Sequence, residues 1–200
     1  MTRVRKDSME NLMLNKHQKS SPQTNEEEIL ISQARQDTAS FGKLYDLYAP
    51  SIYRYILSRT GNIQDAQDIT SQTFLKVLEK LSSYHHRGYF SAWLFSIARS
   101  RYVDHFRKRN QEDKLIANKN LESQTDILSI VVDRERLLNL DHILALLSDD
   151  EMDLLRLRNV AELTFAEIAE ILSKTEDATK KKYYRLLARL QSQLEEENEI

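Results

Sequence analysis

Three glycines and two prolines among 200 residues leave this chain almost without the residues that reverse a strand. Hairpins and sheet corners draw on Gly, Pro and Asn-Gly pairs, which supply the positive or fixed φ of a tight reversal. Helices joined by capped turns need far fewer of them. The fold class read from this scarcity is all-α. Hydrophobic residues make up 40% of the chain, enough for one core or two small ones. The absence of cysteine excludes disulfides, cysteine-type zinc sites and thiol nucleophiles, and fits a reducing compartment. No apolar run approaches the roughly 18 residues of a membrane span. The N-terminus has no apolar stretch of the signal-peptide kind. The expectation is a cytoplasmic protein with no membrane insertion.

Charge is distributed unevenly. Residues 82–110 hold six Lys or Arg against one Asp, and residues 173–190 hold six against two. Between them, residues 133–172 hold four basic side chains against ten acidic ones. Two basic patches on an otherwise acidic chain suit a polyanion touched at two places; solvated helix faces would give the same counts.

The periodicity divides the chain into a polar arm (1–28), a helical domain (29–110), a linker (111–132), a second helical domain (133–194) and an acidic tail (195–200). In "NIQDAQDITSQTFLKVLEKL", Asn62 caps a helix and Asp65 makes its first turn acidic. Ala66, Ile69, Thr70, Phe74, Val77, Leu78 and Leu81 form a core stripe, and Asp65, Asp68, Gln72 and Lys76 a polar one. The preceding "TASFGKLYDLYAPSIYRYILSRT" reads as two helices, with Pro50 in the first turn of the second. Gly61 and Gly88 are expected helix stops. In "FSAWLFSIARSRYVDHFRKRN", Phe90, Trp93, Leu94 and Ile97 lie on one stripe, which Arg101 and Lys108 extend. Phe95, Tyr102 and Phe106 lie roughly opposite, so this helix is either covered on two sides or keeps one aromatic edge free.

The most specific stretch is "LTFAEIAEILSKTEDATKKKYYRLLARL". Ser148 with Glu151, and Thr164 with Glu167, have capping-box spacing. Ile168, Ala169 and Leu172 give the first helix a short apolar face. After the turn "SKTED", the residues Thr179, Tyr183, Leu186, Leu187, Leu190 and Leu194 form the core stripe of a longer helix. Lys181, Tyr184, Arg185 and Ala188 project from its other side, flanked by Lys180, Lys182 and Arg189. A short helix, a tight turn and a longer basic helix make a helix–turn–helix, whose second helix enters a major groove.

These residues resemble region four of bacterial RNA polymerase sigma factors: "LTFAEIA" matches the family's L-[ST]-x-x-E-I-A core, and "KKKYYRLLARL" its basic helix. The N-terminal half resembles region two. "DAQDITSQTFLKV" is similar to the segment that grips the polymerase clamp, and "FSAWLFSIARSRYVDHFRKR" to the one that melts and reads the minus-ten element. With only these two regions, the chain is identified as a member of the extracytoplasmic-function (ECF) group. It departs from the family pattern at Ser100, Ser148, Ser173, Ala178 and Thr179, so no promoter sequence transfers with the fold.

The resemblance implies a transcription initiation factor, not an enzyme, with no cofactor. Its partners are core RNA polymerase, through the clamp coiled coil, promoter DNA and commonly an anti-sigma protein. It assigns Asp65, Asp68, Gln72 and Lys76 to the polymerase; without it, that stripe reads as a solvated helix face. It assigns Lys180, Lys181, Lys182, Tyr184, Arg185 and Arg189 to the minus-thirty-five element. Tyr84, His86, Tyr89, Ser100, Arg101, Arg107 and Lys108 go to the minus-ten element, where the loop before the helix captures a flipped base. His85 and His86 lack an acidic or cysteine partner at ligand spacing, so no metal is expected. A stand-alone helix–turn–helix regulator is the competing reading, and it leaves "DAQDITSQTF" unexplained. No phosphate loop, nucleophile elbow or ligand cluster points to an enzyme.

Overall fold

The computed structural model describes residues 25–85, 89–115 and 143–197, and the regular elements among them are helical. In chain order these are α1 (Asn25–Ala34), α2 (Thr38–Thr60), α3 (Ile63–Leu81), α4 (Phe90–Leu115) and α5 (Asp149–Leu155). A π-helical turn over Arg156–Val160, α6 (Phe165–Ile171) and α7 (Glu176–Glu197) follow. Helices α1 to α4 form a first region, and α5 to α7 a second.

Local chemistry sets the helix ends. Asp37 Oδ1 accepts the Ser40 N–H at 2.7 Å to start α2. Gly61, with φ of 62°, ends it in the left-handed conformation and returns its N–H to the Leu57 carbonyl. Asn62 Oδ1 accepts the Asp65 N–H at 3.0 Å to start α3. Both expected capping boxes close in both directions, Ser148 with Glu151 and Thr164 with Glu167. A side-chain cap of this kind is worth about 1 kcal/mol.

Two sequence expectations about the helices fail here. Helix α2 runs unbroken through Pro50 instead of restarting there. An internal proline costs roughly 3 kcal/mol. Leu44, Ile52, Tyr55 and Ile56 are wholly buried along one face on both sides of it, and each such side chain contributes roughly 1.5–3 kcal/mol, so packing outweighs the break. Leu78, placed on the core stripe of α3, is 53% exposed. It stands about a quarter turn from Val77, and the helices that cover α3 meet the Phe74, Val77 and Leu81 line instead.

Helix α4 lies at the centre, against α2 and α3 on one side and α6 on the other. The aromatic stripe opposite its first core stripe is therefore covered. Phe95 is fully buried edge-on against Tyr55, with ring centroids 5.4 Å apart. Tyr102 packs with Phe106 and sits under the Arg59 guanidinium, 4.1 Å from its centroid. The core continues from Ile52, Tyr55 and Phe95 into Leu154, Leu157, Leu163, Ile168 and Tyr183 of the second region.

Polar contacts reinforce this junction. Asp153, 2% exposed, accepts hydrogen bonds on one oxygen from Tyr55 Oη (2.7 Å) and Arg59 Nη1 (2.8 Å). Arg99 Nη2 lies 2.8 Å from its other oxygen. Ser91 Oγ donates to Glu167 Oε1 at 2.5 Å, and the Tyr89 N–H donates to Glu170 Oε2 at 3.0 Å. The Tyr55 hydroxyl is held protonated, its pKa raised by burial and by the Asp153 charge.

The turn between α6 and α7 places Ser173 at φ 53°, left-handed backbone that a Cβ disfavours. Ser173→Gly is expected to stabilise the protein by about 0.5–1 kcal/mol. A thermal melt followed by circular dichroism should show the midpoint rising by roughly 1–4 °C. An unchanged or lower midpoint would mean that the strain is compensated locally.

Candidate nucleic-acid and polymerase interface

Helix α7 turns Thr179, Tyr183, Leu186 and Leu190 inward. Ile143 and Leu147 pack against its C-terminal half, and Phe165 meets the Tyr183 ring at 5.3 Å. The Tyr183 hydroxyl donates to Asn159 Oδ1 at 2.9 Å, tying α7 to the π-helical turn. Arg158 secures that turn by donating to the Leu163 carbonyl at 2.6 Å and stacking on Phe165 at 4.6 Å.

With its inner face fixed, α7 presents Lys180, Lys181, Tyr184, Arg185, Ala188 and Arg189 to solvent, with Lys182 half-buried beside them. The predicted minus-thirty-five residues are thus brought together on one rigid helix. Lys181 pairs with Asp177 (3.2 Å) and Arg189 with Glu151 (2.9 Å). Among the described residues no carboxylate pairs with Lys180 or Arg185, so these two present unneutralised charge. Tyr184, 48% exposed, rests its ring against Phe165 and Tyr183 and keeps an edge outward.

The predicted minus-ten residues are more dispersed. A pocket of about 260 Å3 at the start of α4 is lined by Lys80, Ser83, Tyr84, His85, Tyr89, Trp93 and Glu170. Tyr84 is its buried wall, stacked on Trp93 at 4.5 Å and edge-on to Phe90 at 5.3 Å. Burial, helped by the nearby Glu27 charge, pushes the Tyr84 hydroxyl up to about 12, so the ring is neutral at physiological pH. The Tyr84 carbonyl accepts from Arg35, which fixes the end of the loop. Trp93, read from the sequence as core, is only partly buried and faces this pocket. The signal was present: tryptophan is the core residue that most often keeps an edge in water.

Beyond the pocket, Trp93, Ser96, Ser100 and Arg107 fall within about 60° of one another along α4. Ser100, Arg107 and Lys108 are exposed. Arg101 is half-buried and paired with Asp104 at 3.2 Å. His86 lies outside the described residues.

On α3, Asp68 and Gln72 are exposed. Lys76 pairs with Glu79 at 2.6 Å. Asp65 is turned toward α4, where His105 Nε2 (3.2 Å) and Arg109 Nη1 (2.9 Å) meet its two oxygens. Leu75 and Leu78, 61% and 53% exposed, flank this polar stripe and were not foreseen as surface residues. Among the described residues no helix is long and apolar enough to cross a membrane.

The chain matches two family models in succession, Sigma-70 region 2 over residues 44–112 and Sigma-70 region 4 over residues 137–190. It is 32% identical over 169 residues to the ECF RNA polymerase sigma factor BldN of Streptomyces coelicolor, covering 80% of this chain and 63% of that protein. It thus spans less than two thirds of that relative's length. RNA polymerase sigma factor YlaC of Bacillus subtilis is 31% identical over 140 residues, covering 66% of this chain and 79% of YlaC. ECF sigma factor SigM of Bacillus subtilis is 28% identical over 154 residues, 75% of this chain and 92% of SigM. Among solved structures, CnrH in complex with the cytosolic domain of CnrY shares the fold. Its TM-score is 0.60 at 20% identity, over 84% of this chain and 96% of CnrH. So does the sigma factor RpoE of Bartonella quintana, solved with the anti-sigma factor NepR, with a TM-score of 0.58 at 23% identity over 78% and 96%. With both region models matched in order and a relative above 30% identity covered over most of its length, the chain belongs to the sigma-70 family of RNA polymerase sigma factors, in its extracytoplasmic-function group.

Proposed function

We propose that this chain is a dissociable initiation factor that binds core RNA polymerase and directs it to promoters. The observation that carries the reading is the pairing, in one chain, of an exposed basic face on α7 with an aromatic-walled pocket at the start of α4. In this reading Lys181, Tyr184 and Arg185 meet base edges of a minus-thirty-five element, with Lys180, Lys182 and Arg189 on phosphates. Tyr84, Tyr89 and Trp93 supply flat surface for a minus-ten base drawn out of the duplex. Stacking of about 1–3 kcal/mol per base offsets part of the cost of unstacking. Ser100, Arg101, Arg107 and Lys108 continue from that pocket along the strand.

Asp68, Gln72 and Lys76, with the apolar Leu75 and Leu78, form the surface assigned to the clamp coiled coil. Exposed leucines beside polar side chains suit a protein partner better than a solvated face. Asp65 joins this surface once its pairs with His105 and Arg109 loosen. The functional units are residues 29–110 and 133–194, joined by 111–132. No catalytic chemistry of its own is assigned to the protein, which acts in the cytoplasm beside the polymerase. RpoE of Bartonella quintana was solved with an anti-sigma factor, and a protein of that kind is the regulatory partner expected here.

Affinity capture and run-off transcription test the reading. Tagged protein is expected to retain core polymerase and to give salt-sensitive run-off products from a pool of randomised promoters. Failure to retain the polymerase would leave a helix–turn–helix regulator as the better description.

A further inference from the structure

An open groove of about 360 Å3 runs between α2 and α3. Tyr45, Asp46, Pro50 and Tyr53 line it from α2, and Thr70 and Ser71 from α3. Its volume lies at the lower end of the range of small-ligand sites. Three acceptors in it lack partners. The Asp46 carboxylate is exposed, and no cation pairs with it among the described residues. The Asp46 carbonyl lacks its helical donor as well. Helix α2 runs through Pro50, four residues on, and proline has no N–H to give. The third acceptor is Thr70 Oγ1. Thr70 is 5% exposed, and among the described residues its hydroxyl has no hydrogen-bond partner. Neighbouring hydroxyls on α3 behave otherwise. Ser71 Oγ donates to the Gln67 carbonyl at 2.9 Å, and Thr73 Oγ1 to the Ile69 carbonyl at 2.7 Å. A buried hydroxyl left unpaired carries a desolvation cost that a ligand would relieve.

The walls of the groove are aromatic. Tyr45 is 41% exposed, and its ring is held by Phe74 with centroids 4.6 Å apart. Tyr53 is half-buried two turns further along α2. This chemistry discriminates among ligand classes. The lining holds no Lys, Arg or His, so an anion would meet Asp46 with nothing to neutralise it. A divalent metal needs more oxygen ligands than one carboxylate supplies, and no group of three or more ligating side chains occurs among the described residues. An apolar ligand would cover Asp46 and leave Thr70 unpaired. An organic cation suits all three acceptors. An ammonium is compact and strongly hydrated. A guanidinium is planar, stacks on aromatic faces and carries five N–H donors in a fixed fork. Flat tyrosine walls beside several acceptors favour the guanidinium.

We propose that the α2–α3 groove is a binding site for a guanidinium group, with Asp46 as counter-ion, Tyr45 and Tyr53 as stacking walls and Thr70 as a buried acceptor. A free guanidino compound and the arginine side chain of a protein share this chemistry. The site is independent of promoter binding, and neither polymerase nor DNA enters its test.

The full-length chain, isotope-labelled, is titrated with N-acetyl-arginine amide and followed by amide chemical shifts. Saturable shifts are expected at Ala49, Thr70 and Ser71, in the millimolar range, because one guanidinium in an open groove binds weakly. The neutral analogue N-acetyl-citrulline amide should give none, and N-acetyl-lysine amide should bind roughly threefold more weakly. Asp46→Asn should weaken binding of the arginine amide roughly tenfold, and Thr70→Val roughly threefold. Thermal melts check the fold. Thr70→Val should melt no lower than the parent, since it removes an unpaired hydroxyl with little change of shape.

No saturable shift, or shifts confined to other parts of the chain, would overturn the site. Equal binding of the citrulline compound would overturn cation recognition, and equal binding of the lysine compound the choice of guanidinium. Unchanged affinity in Asp46→Asn or Thr70→Val would remove that residue from the site. Free L-arginine separates the two sources. Tighter binding than the capped amide assigns a free compound whose own charged ends are read; equal or weaker binding assigns the arginine side chain of a protein.

Discussion

Replacing Phe95 by alanine is expected to destabilise both regions together, by about 3–5 kcal/mol. The ring is fully buried on the central helix and packs edge-on against Tyr55 at 5.4 Å. Tyr55 in turn donates to Asp153 at 2.7 Å, so the cavity opens beside the main polar contact between the regions. A loss of that size is a large part of the 5–15 kcal/mol that holds a typical domain folded. Two probes separate a joint collapse from a local one. The single tryptophan, Trp93, reports α4 and its immediate surroundings, and far-ultraviolet circular dichroism reports all helices. In a urea titration the two transitions should coincide and shift together. Phe95→Leu, which keeps most of the volume, should cost less than about 1.5 kcal/mol. Separate transitions in the parent protein would show that the shared core does not couple the regions.

Sequence made the local structure legible because local structure is set by near neighbours. Asn62, the Ser148/Glu151 pair and the Thr164/Glu167 pair announce helix starts through side chains that bond backbone within three residues. The stripes of α3 and α7 follow from one helical period, and most of their members are buried. Those patterns gave helices and a helix–turn–helix; the two family regions were placed by the resemblance of the quoted segments to the family's motifs. Contacts between residues some 80–100 positions apart leave no such mark. Asp153 stands in the acidic run "SDDEMD" and passes for a helix-start acid, while the bond from Tyr55 spans 98 positions. One clue was available: Asp153 adjoins buried Leu154 and lies one turn before Leu157, so it is a charge at the edge of an apolar stripe. Glu167 was read as a capping residue, which it is, but its second oxygen also serves Ser91. The course of α2 through Pro50 was hidden for a related reason. A local penalty is visible in the sequence, and the tertiary burial that outweighs it is not.

Arg185→Ala is expected to reduce promoter use by about 5- to 150-fold, equivalent to roughly 1–3 kcal/mol, and to do so unevenly across promoter variants. Arg185 is exposed on α7 between Tyr184 and the inward Leu186, and among the described residues it has no carboxylate partner. Its full charge and its planar fork of donors are therefore available to a guanine edge, without an internal ion pair to break first. Lys180 is equally unpaired but sits more than one turn earlier, near the start of the helix, and lysine carries a point charge rather than a fork. Lys180→Ala should weaken all variants alike and make the logarithmic salt dependence shallower by roughly 0.9. Arg189 provides the contrast. Its guanidinium is already bonded to Glu151 at 2.9 Å, so engaging a phosphate means giving up that pair, and Arg189→Ala should have the smallest effect of the three. Run-off transcription on a panel of single-base variants, repeated at several salt concentrations, measures each term. Uniform loss for Arg185→Ala with a reduced salt slope would place Arg185 on the phosphates and move base reading to Lys181 and Tyr184.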